Sequence, residues 1–147
     1  MPASPAVFPA DHLSKMEGEF HMDPSAVHET NRLYWDTQGN DFLGAIVLPR
    51  YGAFISEEKW KLLGDVSGKR VLEMGCGDGG SLGYLGERGA SQLWGLDLSE
   101  GQLKKAEQAL AARGLSAKLV CSPMEADCGL PTDYFDLVYS IYAIGWT

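Results

Sequence analysis

The sequence contains few cysteines, and their spacing builds no recognisable scaffold. There are three among 147 residues, Cys76, Cys121 and Cys128, and no two of them form a C-x-x-C pair. The odd count and the spacing argue against a disulfide framework and against a zinc site. We therefore expect reduced thiols, as in a cytoplasmic protein.

Long apolar segments are also missing. No stretch of 18 consecutive apolar residues occurs, so the sequence predicts no transmembrane helix. The first residues lack a basic region followed by an apolar core, so we expect no secretory signal. Both observations agree with the cytoplasmic location that the cysteines suggest.

Basic residues are in the minority. Lys and Arg number 12 against 20 Asp and Glu, which leaves a formal net charge of −8. This balance argues against a surface for nucleic acid or for an anionic membrane, and it favours small-molecule partners. A length of 147 residues allows at most one ordinary domain.

The most informative stretch is a glycine-rich turn that follows a short apolar run. Val71 and Leu72 are apolar, as a buried parallel strand requires, and the strand ends in Glu73. The residues 75–80 contain four glycines, which can adopt backbone angles closed to other residues and let a ligand approach the main chain. A helix from about Ser81 would point its amides at the same place. The pattern predicts a nucleotide-cofactor turn.

Two templates fit these glycines. Gly75, Gly77 and Gly80 satisfy the dinucleotide pattern G-x-G-x-x-G, which is weak when it stands alone. Glu73 with Gly75, Gly77 and Gly79 satisfies E-x-G-x-G-x-G, which resembles the first motif of the class I S-adenosylmethionine (SAM)-dependent methyltransferases. A carboxylate at this point would repel the pyrophosphate of a dinucleotide but would attract the cationic SAM. Glu73 therefore favours SAM as the cofactor.

A second acid follows the next predicted strand. The apolar segment 92–96 ends at Asp97, about 20 residues beyond the glycine turn, where a carboxylate commonly binds the ribose hydroxyls of an adenosine cofactor. The alternative, that Asp97 only caps the following helix, is weakened because Ser99 and Gln102 already form a capping box. That helix is predicted to end near Arg113, with Leu103, Ala106 and Leu110 on its inner face.

The resemblance implies further cofactor contacts after the third and fourth strands. The segment 122–125 follows the third strand, 117–121, and in the family this loop wraps the adenine ring. Pro123 stands where many members have an Asp that accepts from the adenine amino group, and a proline side chain cannot do so. Ser122 or a backbone carbonyl is the expected substitute at this position. Met124 offers its amide and its side chain to the ring, with ordinary packing as the alternative. The fourth strand, 135–140, resembles the family's F-D-x-V-x-S strand, with Asp136 as a structural residue. The remaining expected cofactor contacts are Cys76, Leu98, Glu125 and Tyr139.

Two helices are predicted before the first strand. The segment 24–37 reads as a helix with Asp23 as its cap, and residues 31–36 resemble an N-terminal segment that crosses the cofactor mouth in one bacterial branch of the family. Tyr34 would then lie near the sulfonium, where a cation–π contact is favourable; packing of its ring against the sheet is the alternative. A second helix is predicted from Ser56 to Gly64, with Trp60 and Leu63 on one face.

These patterns predict a doubly wound, mostly parallel α/β sheet of the Rossmann-like methyltransferase type. We expect a mobile arm over 1–23, a helical cap over 24–68 and a SAM-binding half-domain over 69–147. The family sheet has seven strands in the order 3-2-1-4-5-7-6, and this chain supplies four, so we expect truncation after the fourth strand and an exposed sheet edge that favours a homo-oligomer.

The implied function is methyl transfer from SAM to a small-molecule acceptor. A non-catalytic SAM-binding remnant or partner subunit is the alternative, and an NAD-type dinucleotide domain is a weaker one. The sequence indicates no catalytic base and no metal site.

Overall fold

Four parallel strands form one sheet in the part of the chain that the computed structural model describes, residues 23–37, 49, 51 and 55–146. The predicted arm over 1–23, apart from Asp23, lies outside the described residues, as do most of 38–54. The elements in chain order are α1 (Pro24–Thr37), α2 (Glu57–Trp60), β1 (Arg70–Met74), α3 (Gly80–Gly86), β2 (Gln92–Asp97), α4 (Glu100–Ala112), β3 (Lys118–Cys121), β4 (Leu137–Tyr139) and a 3-10 turn (Ile144–Trp146).

The strand order is β3-β2-β1-β4. The chain moves outward from β1 to β3 and then returns to place β4 on the other side of β1, so the order reverses between these two strands. In open α/β sheets ligands bind outside the carboxyl ends of the strands at such a reversal. Glu73 pairs with Gly95 of β2 and with Tyr139 of β4, which puts this acid at the reversal. The predicted doubly wound parallel sheet is confirmed.

The core lies between the sheet and the helices α3 and α4. Its buried members come from both strands and helices. Three consecutive residues of β1, 71–73, are buried, as is usual for a central parallel strand, and the buried helix residues recur at helical spacing. Leu103, Ala106 and Leu110 form the buried stripe predicted for α4. The buried cluster consists of Val66, Val71, Cys76, Leu82, Tyr84, Leu85, Leu93, Leu103 and Leu110.

The helix predicted from Ser56 to Gly64 is wrong in extent. It ends at Trp60, because Lys61 adopts a left-handed conformation with φ 49°. The carboxylate of Glu57 is buried and accepts a hydrogen bond of 3.0 Å from the amide of Leu63, which folds the chain back over the helix start. Trp60 is 55% exposed instead of facing inward with Leu63.

The fourth strand is also shorter than predicted. Phe135 and Asp136 precede it instead of starting it. Phe135 packs edge-on against Trp94 at 5.3 Å between ring centroids, and Asp136 binds Arg70 through its side chain. Asp136 is thus the structural residue that the sequence indicates.

The helix α1 has the predicted bounds and contains no buried residue. Since none of its residues is buried, polar contacts are the main contacts that hold it on the rest of the chain. In the described ranges no helix is both long enough and apolar enough to cross a membrane.

Candidate cofactor site

The carboxyl group of Glu73 lies buried at the end of β1, with 3% of the residue exposed. Its Oε2 accepts a hydrogen bond of 3.1 Å from the hydroxyl of Tyr139, and that hydroxyl lies 3.0 Å from Ser81 Oγ. The pKa of Glu73 is raised to about 8, mainly by burial; the nearby charges of Asp97 and Asp78 act in the same direction, and the hydrogen bonds from Tyr139 and Ser81 oppose the shift. Glu73 is therefore not a solvated charge at a strand end.

The three glycines of the motif have three different surroundings. A Cβ on Gly75 would lie 2.0 Å from the Cβ of Ala143, and one on Gly79 would lie 3.0 Å from that of Ala106. A Cβ on Gly77 would meet nothing within 4 Å. All three have positive φ, as predicted for such a turn. Of these three glycines, only Gly77 therefore leaves open space over the main chain. The lack of a side chain at Gly75 lets the loop that contains Ala143 pack against the turn, and at Gly79 it lets α4 pack there through Ala106.

The side chain of Asp97 is tied to the glycine turn. Its Oδ2 accepts a hydrogen bond of 2.8 Å from the amide of Gly77, and its Oδ1 accepts one of 2.9 Å from the amide of Ser99. Burial raises the pKa of Asp97 against these hydrogen bonds. A carboxylate oxygen can accept more than one hydrogen bond, so the predicted contact with a ribose diol stays compatible with this geometry and stays a prediction.

The loop after β3 lies beside the glycine turn. The terminal Cε of Met124 is 3.7 Å from the position of a Cβ on Gly75, which places this side chain against the turn. The hydroxyl of Ser122 donates to the carbonyl of Pro123 at 3.1 Å, and the amide of Ser122 donates to the carbonyl of Asp97 at 3.0 Å. The predicted adenine contacts of Pro123 and Met124 stay predictions.

Two of the predicted cofactor residues have structural surroundings. The thiol of Cys76 belongs to the buried core, where burial raises its pKa, and its amide donates to the carbonyl of Leu96 at 3.0 Å. The carbonyl of Leu98 lies 3.6 Å from Cys121 Sγ. Their predicted cofactor contacts are not tested by this geometry.

The helix α1 is held across the carboxyl ends of β2 and β3. Asp36 Oδ1 accepts hydrogen bonds of 2.5 Å from Ser99 Oγ and 3.1 Å from the amide of Gly101, and the bond from Ser99 is the main reason why the pKa of Asp36 is lowered. Near the other end of the helix, His28 Nε2 contacts Glu125 Oε1. In the predicted capping box Gln102 Oε1 would accept from the amide of Ser99, but that amide donates to Asp97 Oδ1 at 2.9 Å. Gln102 Nε2 donates to the carbonyl of Trp35 at 3.0 Å. The backbone half of the box is present, because Ser99 Oγ accepts from the amide of Gln102.

Tyr34 lies on the same helix and is 38% exposed, with its ring edge-on to Trp35 at 5.1 Å. Its contact with a sulfonium stays a prediction.

Sequence reasoning missed several residues that shape this site. Ser81, Asp36 and Ala143 act through contacts that join residues 58 to 68 positions apart, for example Ser81 with Tyr139 and Asp36 with Ser99. No local pattern signals such pairs. Gly95 could have been recognised from the sequence, because a glycine inside a strand often marks a close approach of other atoms to the backbone. In the structure a Cβ on Gly95 would lie 2.6 Å from Cys76 Sγ.

A second concavity, of about 550 Å³, lies beside the C-terminal end of α3. Its lining includes Glu57, Tyr84 and Arg88. The two carboxylate oxygens of Glu57 already accept from the amide of Leu63 and the hydroxyl of Tyr51, and the guanidinium of Arg88 stacks on the Tyr84 ring. These groups stabilise the fold, and the glycine turn remains the better site. In the described segments no cluster of three or more His, Cys, Asp or Glu is placed to hold a metal ion.

Comparison with known proteins identifies the family. Residues 71–147 match the methyltransferase domain family. Among curated relatives, the chain is 35% identical over 82 residues to the aklanonic acid methyltransferase DauC of Streptomyces sp. strain C5. The aligned region covers 54% of this chain and 37% of that protein. The chain is 42% identical over 59 residues to the tRNA U34 carboxymethyltransferase of Idiomarina loihiensis, and this aligned region covers 34% of this chain and 18% of that protein. The chain thus spans little more than a third of the length of the first curated relatives it matches.

A solved structure shows the same fold. It is the magnesium protoporphyrin IX methyltransferase ChlM from Synechocystis PCC 6803 with bound SAM, with a TM-score of 0.59 and 20% identity, over 88% of this chain and 66% of that one. At this identity the likeness concerns the fold alone. The family match covers more than half of the chain and includes the acid-and-glycine motif, the second-strand acid and the fourth strand. The chain therefore belongs to the methyltransferase domain family and has the Rossmann-like fold of the class I SAM-dependent methyltransferases.

Proposed function

We propose that this chain binds SAM through the carboxyl ends of β1 and β2 and that it is the cofactor-binding part of a methyltransferase for small-molecule acceptors. The observation that carries the proposal is the placement of Glu73 and Asp97 at the carboxyl ends of neighbouring strands, next to a turn whose main chain is open at Gly77. The strand order reverses at the same point.

The residues present fit a cationic adenosine cofactor better than a dinucleotide. Glu73 carries this preference, because an anionic pyrophosphate over the turn would lie near its carboxyl group, whereas Asp97 would bind a ribose in either cofactor. A positive charge would instead be stabilised beside Glu73, in surroundings where burial strengthens electrostatic interactions. Asp97 would accept from the ribose hydroxyls, while the amide of Gly77, already bound to Asp97, keeps that carboxylate in place. When bound, SAM supplies the methyl group and its own leaving group.

The chain's contribution to methyl transfer would then be orientation and the exclusion of water. Holding reactants in an aligned geometry can supply about 7–11 kcal/mol of a barrier. The contacts of α1 with Ser99, Gly101 and Glu125 support the proposal that this helix covers the mouth of the site and shields the cofactor from solvent. No residue is assigned as a catalytic base.

A thermal-shift experiment with SAM, S-adenosylhomocysteine and NAD tests the cofactor. Stabilisation by the first two and none by NAD is expected. Stabilisation by NAD alone would overturn the proposal and favour a dinucleotide domain. The variant Asp97→Asn should weaken SAM binding about tenfold, since a charge-assisted hydrogen bond becomes a neutral one. The matched variant Asp133→Asn, an exposed acid outside the site, should leave SAM binding unchanged.

The acceptor class needs a separate experiment. The chain carries a net charge of −8, which supports a small molecule rather than RNA, and one relative bears the name of a small-molecule enzyme. Another relative bears the name of a tRNA enzyme, so both classes must be offered. Incubation with methyl-labelled SAM should label the low-molecular-mass fraction of a cell extract and leave tRNA unlabelled. Labelled tRNA would overturn the small-molecule assignment.

A non-catalytic SAM-binding role is the second candidate, and it differs from the first in methyl transfer rather than in SAM binding. SAM binding with normal affinity but without transfer to either fraction would favour a SAM-binding remnant or partner subunit over an enzyme.

A further inference from the structure

The electrostatic preference for SAM requires an ionised Glu73, but the site itself favours the protonated form. Glu73 is 3% exposed, and burial raises its pKa to about 8. The ionisable groups that act on it from the neighbouring elements are Asp97 on β2, Tyr139 on β4, Asp78 and Cys76 in the turn, and Tyr51. None of these five groups carries a positive charge, so none can stabilise the Glu73 carboxylate as an ion pair.

Two hydroxyl groups are nevertheless arranged to stabilise that carboxylate. The Tyr139 hydroxyl donates to Glu73 Oε2 at 3.1 Å, and Ser81 Oγ lies 3.0 Å from the same hydroxyl. When the Tyr139 hydroxyl donates its proton to Glu73, the Tyr139 oxygen can accept a hydrogen bond from the Ser81 hydroxyl. Both hydroxyl protons of this hydrogen-bond series then point toward the Glu73 carboxyl group. Burial keeps the pKa of Tyr139 far above its ordinary value, so the phenol keeps its proton.

We propose that Ser81 and Tyr139 are positioning residues that hold Glu73 ready to give up its proton when a cationic ligand binds beside it. The inference rests on the proposed function, since SAM is the cation in question. In the step, the O–H bond of the Glu73 carboxyl breaks, the proton passes to solvent, and the bonding electron pair stays on the carboxylate. The positive charge of the ligand then takes the place of the proton, and the bond from Tyr139 becomes charge-assisted.

Proton release is measurable directly. Isothermal titration calorimetry of the chain with SAM at pH 7, in two buffers of different ionisation enthalpy, should give close to one proton released for each SAM bound. The affinity for SAM should rise about tenfold per pH unit between pH 6 and pH 7.5, as expected for exchange of one proton. The uncharged analogue 5′-methylthioadenosine should bind without proton release. The proposal is wrong if SAM releases no proton or if the uncharged analogue releases as many.

Variants separate the roles of the three residues. Glu73→Gln should bind SAM without proton release. Tyr139→Phe keeps the ring but removes the donor, so the pKa of Glu73 should rise further, the affinity at pH 7 should fall about tenfold, and the pH profile should move to higher pH. Ser81→Ala should shift the profile in the same direction by less. Tyr134→Phe removes a tyrosine hydroxyl that contacts Gln92, at the start of β2, and should leave the profile unchanged.

The position of the pH profile distinguishes positioning from a purely structural role. A Tyr139→Phe protein that loses affinity equally at every pH would contradict the proposal, as would a Glu73→Gln protein that still releases a proton. Thermal melts of each variant show whether it folds. If SAM does not bind the chain under any condition, the proposed function itself fails; if SAM binds without proton exchange, only this inference fails.

Discussion

Ala143, in the loop after β4, occupies the space directly over Gly75 in the turn after β1. A Cβ built on Gly75 would lie 2.0 Å from the Cβ of Ala143, which is far inside van der Waals contact. The first glycine of the motif is therefore required by the protein's own packing, because it lets the loops after β1 and β4 meet. The open main chain that a ligand can approach lies two residues later, at Gly77.

This difference predicts unequal effects of two alanine substitutions. Gly77→Ala should lower the free energy of unfolding by about 1–2 kcal/mol, the usual penalty for a left-handed backbone with a side chain. Gly75→Ala adds a clash with Ala143 and should cost clearly more. Urea denaturation measures both. SAM affinity should fall for Gly77→Ala even where the protein is fully folded, since its methyl group enters the open space.

Equal destabilisation by the two substitutions would contradict this division of roles. The double variant Gly75→Ala with Ala143→Gly provides the control, because removal of the Ala143 methyl should recover part of the loss.

The docking of α1 should depend on Asp36. Asp36→Ala removes its bonds to Ser99 and Gly101 and should weaken docking by about 1–3 kcal/mol. Hydrogen exchange of the amides in 24–37 should then become faster, while the sheet stays protected. Glu29→Ala is the matched control, because Glu29 lies on the same helix and contacts Arg32. Slow exchange in both variants would show that other contacts hold the helix.

The ion pair between Asp136 and Arg70 should contribute stability that disappears in acid. The hydrogen bonds from Arg70 lower the pKa of Asp136 in the folded chain, so the folded state binds fewer protons than the unfolded state as the pH falls below the ordinary value of 3.8. The contribution is fully present above that pH and is lost progressively below it. In Asp136→Asn the melting temperature should therefore fall less as the pH is lowered below 3.8 than it does in the parent chain. Glu107→Gln, which changes an exposed acid on α4, should leave the acid-induced fall in melting temperature unchanged. If the melting temperatures of Asp136→Asn and of the parent chain fall equally in acid, the prediction is wrong.

Glu73 should act on stability with the opposite sign. Its pKa is raised from 4.5 to about 8, so between these values the folded chain holds a proton that the unfolded chain releases. The stability of the ligand-free chain should therefore fall as the pH rises from about 5 to about 8, by at most about 1.4 kcal/mol per pH unit. Glu73→Gln should remove this slope. Chemical denaturation at several pH values measures it, and a stability that stays flat in the parent chain would count against a protonated Glu73.

The edge of the sheet at β4 should favour self-association. Val138 is 55% exposed and Ile144, in the following turn, is 69% exposed, beside an edge strand of three residues. Exposed edge strands with apolar neighbours pair readily with other chains. We expect the apparent mass in size-exclusion chromatography to rise with concentration, and Val138→Lys to suppress the rise. A monomer at all concentrations would contradict the prediction.

The elements of the fold could be predicted from the sequence because their signals are local. The bounds of α1, the Ser99 cap of α4 and the end of β2 at Asp97 follow from capping residues and periodicity over a few residues. The helix after Ser56 could not, because its early end depends on the buried carboxylate of Glu57 and its bond to Leu63. Likewise, β4 begins at Leu137, after Phe135 and Asp136, whose side chains contact Trp94 and Arg70 at distant positions of the sequence.

By itself the sequence determined the family, the order of strands and helices, and the two acids at the ends of neighbouring strands. These depend on residue type and on spacing along the chain. The tertiary structure alone decided that Glu73 is buried against Tyr139 and Ser81, that Ala143 covers Gly75, and that Asp36 anchors α1. The contacts of Tyr139 with Glu73, of Ala143 with Gly75 and of Asp36 with Ser99 join residues more than 55 positions apart. The proton affinity of a carboxyl group depends on what surrounds it in space rather than on its neighbours in the chain.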